Sequence, residues 1–468
     1  MDVDFKYYTI PSDFNHCSSA KIKYSISLIS ASANPKPPIR PNLHLKLESP
    51  LFASHRGLIM SDPVVVTASP IAPRRLAPQV VVAIFVRLFI NTSRRFVYPF
   101  APALSRGLDV PLTAVTSLIA VNQFTGILSP FFGPLSDRWG YRVMMLAGLA
   151  ILAVGMVSAG ILPFYGTVLL ALLFAGLTKA IFDPALQAYI AEQVPYRRRG
   201  TVMGLIELSW AGASLVGIPL IGILIDRLGW QTPFLVLGGL ALLSMAAIAL
   251  LIPPDRHRLQ QRQQSINIYQ AWQLLRREKP ALGVLLFSFL SNIANDNLFV
   301  VYGVWLEESF SLGLVALGTA TTVIGVAELA GELLTAAFAD RLGLKRSIIV
   351  GLCLVILSYL LLPVIGRSLP LALAGLFVVF LWFEFTIVTN VSLITEVLPS
   401  ARATMISASV AVSGLGRMIG ALIAGPVWLW GGLPATGFVS AILSLLALAF
   451  FVWGLRRWRA QIQAAPNR

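Results

Sequence analysis

Charge is scarce in this chain: Asp, Glu, Lys and Arg make up 12% of 468 residues, about half the roughly 25% usual in soluble domains. A composition so poor in charge excludes a soluble globular enzyme. Histidine is rarer still. His16, His44, His55 and His257 all lie outside the long apolar runs, which leaves no imidazole for an intramembrane zinc site or proton relay. Cysteine is confined to Cys17 and Cys353, too few for a disulfide framework or a Cys-rich metal site. No Gly-Lys dipeptide occurs, so the phosphate-cradling loop of nucleotide-driven pumps is missing. Neither a metal nor a cofactor is expected.

Apolar residues are plentiful, at 56% of the chain with a mean hydropathy of +0.77. At about 20 residues per membrane-spanning helix, that is enough for about a dozen spans. Apolar segments separated by short polar turns fall near 80–103, 111–133, 143–163, 166–192, 201–225 and 232–252. A second set falls near 281–306, 313–338, 347–366, 370–397, 403–430 and 434–455. The expected fold is an all-α membrane protein of twelve transmembrane helices in two pseudo-symmetric six-helix bundles, residues 79–252 and 281–458. Residues 253–280 are too polar to cross and form a basic linker, with a short amphipathic helix expected around Ile268 to Leu275. Residues 1–78, rich in Ser and Pro, are expected to be a disordered extension, for which Met60 offers an alternative start. Residues 459–468 form a short tail.

The net charge of +15 would suggest nucleic acid in a soluble protein, but here it marks topology. Lys and Arg gather at one membrane face: Arg74 and Arg75, Arg138 and Arg142, Arg197 to Arg199, the linker, Arg341, Lys345 and Arg346, Arg402, and Arg456, Arg457, Arg459 and Arg468. The opposite face holds Arg106, Arg227 and Arg367. By the positive-inside rule both termini are cytoplasmic, and no nucleic acid is expected as a partner.

The halves also repeat. Asp137-Arg138-Trp139-Gly140 recurs 203 positions later as Asp340-Arg341-Leu342-Gly343, Gly222 matches Gly425 at the same offset, and Pro195 with Arg198 matches Pro399 with Arg402 at 204. A duplicated six-helix unit is the parallel repeat of one class of secondary transporters.

Eleven charged residues fall inside the spans: Arg87, Arg94, Arg95, Lys179, Asp183, Glu207, Asp296, Glu328, Glu332, Glu384 and Arg417. Facing lipid they would cost about 30 kcal/mol together, so they must face one another or water. The third, sixth, ninth and twelfth spans carry none of them and suit the lipid-facing periphery; the first, fourth, seventh and tenth carry most and suit a central cavity. Arg87, Asn91, Arg94, Arg95 and Tyr98 share one helical stripe, as do Lys179, Asp183 and Gln187. Ser288, Asn292, Asn295 and Asp296 line one face of the seventh span, and Glu384 precedes Thr389 and Ser392 in the tenth. Candidate substrate or coupling-ion residues are therefore Arg94, Arg95, Lys179, Asp183, Glu207, Asn292, Asp296, Glu328, Glu332, Glu384 and Arg417. Lys179 and Asp183 equally fit a self-neutralising i,i+4 pair, whereas Arg94 and Arg95 have no acid in their own helix.

Gly133-Pro134-Leu135-Ser136-Asp137-Arg138-Trp139-Gly140-Tyr141-Arg142 resembles the signature loop of the major facilitator superfamily, roughly Gly-x-Leu-x-Asp-Arg-x-Gly-Arg-Arg. It departs at Tyr141, and the second copy has Ala336 in place of Gly133. The resemblance implies alternating access and a gating loop at Gly133, Asp137, Arg138, Gly140 and Arg142, repeated at Asp340, Arg341, Gly343 and Arg346. Asp137 would sit at the N-terminus of the eleventh helix, where backbone N–H groups favour an anion; Arg138 and Arg142 would pair with nearby acids. Pro195 to Gly200 and the glycines of the fifth span, Gly212, Gly217 and Gly222 with Pro219, resemble bacterial drug/metabolite exporters of the antiporter type, although a packing face explains the glycines equally well. Leu172 stands where those antiporters usually carry an arginine, which puts their proton route in doubt.

The resulting expectation is a monomeric secondary transporter of the bacterial inner membrane that exports a small amphipathic organic solute, coupled to an ion such as the proton. An importer of an organic anion is the alternative. A membrane enzyme would need a convergent nucleophile or metal set, and a sensor an appended soluble domain.

Overall fold

The structure is a computed structural model that describes residues 76–194, 196–253, 275, 278–398 and 402–458. The expected tail up to residue 75, the linker helix around residue 268 and the segment after 458 lie outside the described residues.

Among the described residues, ten helices are long and apolar enough to cross a membrane: Leu112–Gly133, Tyr141–Ile161, Tyr165–Ile190, Val202–Leu228, Thr232–Leu251, Lys279–Phe310, Leu314–Ala339, Leu344–Ile365, Leu369–Val397 and Thr404–Leu455. Helix is the form a chain takes in lipid, because it satisfies every backbone N–H and C=O internally. The last segment is too long for one passage: at a rise of 1.5 Å per residue it would reach about 78 Å, against a hydrocarbon core of about 30 Å. Its backbone leaves the helix at Gly431 and Gly432, where φ is −161° and 57°, so it crosses twice. The first span is Leu76–Arg95 continued by Ala101–Leu108. Three arginines lower its hydropathy below that of an ordinary span. Twelve spans thus stand where the sequence puts them.

The duplication is written into the backbone. The described residues with left-handed φ are Asp109, Ser311, Gly140, Gly343, Gly229 and Gly432. They pair at separations of 202 or 203, so each irregular turn of the first half recurs in the second. Asp109 and Ser311 end the short outer helices of the first and seventh spans, Ala101–Leu108 and Tyr302–Phe310. Gly140 and Gly343 make the tight turns between second and third and between eighth and ninth spans; only glycine takes such φ values without strain.

Packing follows the charge pattern. The third span lies against the fourth and sixth, and the ninth against the tenth. Their outer faces expose Val143, Val154, Leu242, Leu243, Val350 and Leu357, as lipid contact requires. The halves meet where the second span crosses the eleventh and the fifth crosses the eighth. Gly126 and Gly414 bring the first of these crossings to backbone contact, since a Cβ on Gly414 would lie 3.2 Å from the Gly126 backbone. Ten of the eleven intramembrane charges are buried or half-buried; the eleventh, Glu207, has a side chain 47% exposed.

Candidate functional site

A cavity of about 370 Å³ lies between the halves, lined from the first, second, fourth and fifth spans on one side and the seventh, tenth and eleventh on the other. It runs from Arg94, Gln123 and Arg417 at mid-depth toward Glu207, Ile394 and Ser409, at the end of the bundle that carries the two signature loops. The opposite end is shut. There the Cβ that Gly303 lacks would overlap the Pro99 carbonyl, bringing the breaks of the first and seventh spans into contact. Arg106 Nη1 also meets Glu307 Oε1 at 2.6 Å between the two outer helices.

Two ion-pair networks and two arginines held by amides sit in or behind this cavity. Arg87 donates to Asp183 through Nε at 3.2 Å and Nη2 at 3.4 Å, and its Nη1 lies 2.9 Å from Glu207 Oε1. Lys179 Nζ donates to Asp183 Oδ2 at 2.7 Å and to Asn91 Oδ1 at 2.9 Å. The i,i+4 pair of Lys179 and Asp183 therefore forms, within a larger network that joins the first, fourth and fifth spans.

Arg95 crosses the molecule. Its guanidinium makes a two-pronged contact with Glu328 of the eighth span, Nη2–Oε1 at 2.6 Å and Nη1–Oε2 at 3.2 Å. Trp210 Nε1 and Ser214 Oγ of the fifth span donate to the same carboxylate at 3.1 and 3.3 Å. The Trp210 ring centroid is 4.3 Å from the guanidinium carbon, a cation–π distance. A π-turn at Ala213–Gly217 interrupts the fifth span here and presents Ser214 beside Trp210. Of the glycines in this span, Gly217 approaches Thr92 and Gly222 approaches the Leu314 carbonyl, so they act as packing positions.

Arg94, the preceding residue, has no carboxylate partner among the described residues. Its Nε donates to Asn122 Oδ1 at 3.1 Å and its Nη2 to Gln123 Oε1 at 2.8 Å. Gln123 Nε2 donates in turn to the Tyr98 hydroxyl, and Asn122 Nδ2 to the Leu172 carbonyl at 2.9 Å. Arg417, on the eleventh span, faces Arg94 from the other half. Its Nε donates to Asn292 Oδ1 at 3.1 Å, and its guanidinium carbon is 5.6 Å from the Trp210 ring centroid.

Of the residues singled out in the sequence, Arg94, Lys179, Asp183, Glu207 and Arg417 line the cavity, and Arg87 joins them. Arg95 and Glu328 lie behind it as the inter-half ion pair, and Asn292 holds Arg417. Asp296 is fully buried beyond the lining, and neither carboxylate oxygen has a hydrogen-bond partner among the described residues. Glu332 and Glu384 lie off the cavity on the eighth and tenth spans, in electrostatic contact with Glu328. In the tenth span it is Asn390 that reaches the cavity, while Thr389 bonds the Phe385 carbonyl of its own helix and Ser392 is exposed.

Sequence reasoning missed Asn122 and Gln123, because the second span has no charge to draw attention to it; two adjacent amides in an apolar run were the available signal. Trp210 was missed as an ordinary apolar residue. Among the described residues no group of His, Cys, Asp and Glu is placed to hold a metal.

At the signature loops, the side chains of Asp137 and Asp340 lie outside the described residues, and Arg138, Arg341 and Arg346 are exposed. Arg142 Nη2 donates to the Ala249 carbonyl at 2.6 Å. Lys345, 203 positions on and one before Arg346, donates to the Leu455 carbonyl at 2.7 Å. Each loop thereby ties the start of its third or ninth span to the last turn of the sixth or twelfth. A cation at a helix C-terminus is favourable there.

The family model described as Major Facilitator Superfamily matches residues 83–304 and 284–467. YceJ, an MFS-type transporter of Bacillus subtilis, is 28% identical over 369 residues, covering 78% of this chain and 92% of its own. A Lactococcus lactis homolog of the multi-drug resistance efflux pump PmrA is 24% identical, covering 78% and 89%. The multidrug resistance protein MdtG of Serratia proteamaculans is 25% identical, covering 58% and 68%. A solved bacterial homolog of the human lysosomal transporter Spinster, inward-facing and unoccupied, superposes with a TM-score of 0.64 at 15% identity, covering 81% of this chain and 98% of its own; at that identity the likeness bears on the fold.

Proposed function

The chain belongs to the major facilitator superfamily and is a multi-pass membrane transporter, and from that premise we propose that it exports a small amphipathic organic solute by alternating access. The observation that carries this reading is the cavity between the halves, open toward one end and closed at the other by the Pro99–Gly303 contact and the Arg106–Glu307 pair. Its size falls in the range of small-molecule sites. Its walls combine the charged network of the first half with apolar positions such as Ile387, Val391 and Ile394. With both termini in the cytoplasm, as the Lys and Arg distribution argues, the open end faces the cytoplasm, where an exporter loads.

Export is further supported by the names of two relatives, one an efflux pump homolog and one a multidrug resistance protein. The halves would rock about the second–eleventh and fifth–eighth crossings, opening the far end as the near end closes. The test measures uptake and efflux of a solute panel in cells with and without the chain, each with and without a protonophore. Lower accumulation in expressing cells, abolished by the protonophore, supports proton-driven export; higher accumulation contradicts export and favours the opposite direction.

A further inference from the structure

The charge of the cavity wall does not balance. Arg87, Arg94, Lys179 and Arg417 line it against Asp183 and Glu207. The two carboxylates are engaged by Arg87 and Lys179. Arg94 and Arg417 are left, one from each half, without a carboxylate partner among the described residues.

Both are held by amides that fix their direction without supplying a counter-charge in contact. Arg94 is nine-tenths buried; Asn122 and Gln123 take Nε and Nη2, and Nη1 has no hydrogen bond to another described residue. Asn292 takes Nε of Arg417, leaving both of its terminal nitrogens unused among the described residues. The two guanidinium charges act on each other. Asp296 also acts on both, but it lies off the cavity and makes no ion pair.

Resting on the transporter reading above, we infer that the solute is an organic anion whose acidic head is held between Arg94 and Arg417, with its apolar body against Ile387, Val391 and Ile394. A guanidinium with free N–H groups matches carboxylate, phosphate and sulfonate oxygens. Two buried guanidinium groups with no carboxylate in contact are costly, and an anion between them offsets that cost. Because the two arginines belong to different halves, the same anion removes their repulsion and bridges the halves, so binding favours closure of the open end. Neutral and cationic solutes of the same shape gain none of this.

The test uses the full chain, purified and reconstituted, with benzoate, phenyl phosphate and octanoate as probes against benzyl alcohol, benzylammonium and octylammonium. Binding is read by thermal shift and Trp fluorescence, and transport by flux in proteoliposomes. The expected result is that one or more anions bind and are carried, and that Arg94→Gln and Arg417→Gln each weaken that binding at least tenfold. Arg417→Lys, which keeps the charge without the fork, should retain part of it and shows that the site still folds. Binding and transport confined to the neutral or cationic members, or anion binding unchanged in both Gln variants, overturns the inference while leaving the transporter reading intact. Failure of the wild type to bind any anion also overturns it. The transporter reading fails separately if proteoliposomes carry none of the six probes nor any member of a wider panel.

Discussion

Arg94 and Arg95 are neighbours with different work, and the difference is set by which helix each one meets. Arg95 is paired with Glu328 across the interface; both side chains are almost fully buried, at 3% and 5% exposed. Removing one partner leaves a buried charge alone, at a cost of about 3–5 kcal/mol. Glu328→Ala should therefore lower thermal stability strongly in a detergent melt, and the Arg95→Met, Glu328→Leu double variant should recover much of it. Equal losses in the single and double variants would deny that the cost comes from the charge left unpaired. Asp296 is the opposite case: both of its oxygens are buried without a donor among the described residues, so Asp296→Asn removes no hydrogen bond seen there. Its melting temperature should match or exceed that of the wild type.

At the scale of elements, the apolar runs, their number and their boundaries were legible in the sequence because lipid imposes one length and one composition on every span. The peripheral role of the third, sixth, ninth and twelfth spans was legible for the same reason. What was not legible was which charged residues meet. Helical spacing places Arg94, Arg95 and Tyr98 on one stripe, but whether a side chain meets the cavity or the neighbouring half depends on the crossing of the fifth and eighth spans, over 100 residues away in sequence. The second span, with Asn122 and Gln123, entered the site unannounced because its contribution is made by neutral amides.

The loop after the second span illustrates the same limit: its motif announces a gate, while the ties found for Arg142 and Lys345 go to helix-end carbonyls. Arg142→Ala should cost about 0.5–1.5 kcal/mol, the worth of one hydrogen bond, read as a lowered melting temperature. Asp137→Asn is expected to slow flux in proteoliposomes while leaving solute binding in place, since its proposed partner is a helix N-terminus that serves only one conformation. Unchanged flux would contradict that role.

For the molecule as a whole, the proposed alternating access requires two halves that pivot about a shared cavity, open at one end at a time. The paired backbone turns at offsets of 202 and 203 show one structural unit used twice, with an interface between its copies. The Arg106–Glu307 pair spans that interface at the closed end, and Arg106 is largely exposed, so it offers a handle on the motion. The most direct measurement replaces Arg106 and Glu307 with cysteine in a chain carrying Cys17→Ser and Cys353→Ser, joins them with a short bifunctional thiosulfonate that forms a disulfide with each thiol, and follows solute flux in proteoliposomes. Flux should stop on cross-linking and return on reduction, because the closed end can no longer part. Undiminished flux through the cross-linked protein would contradict alternating access.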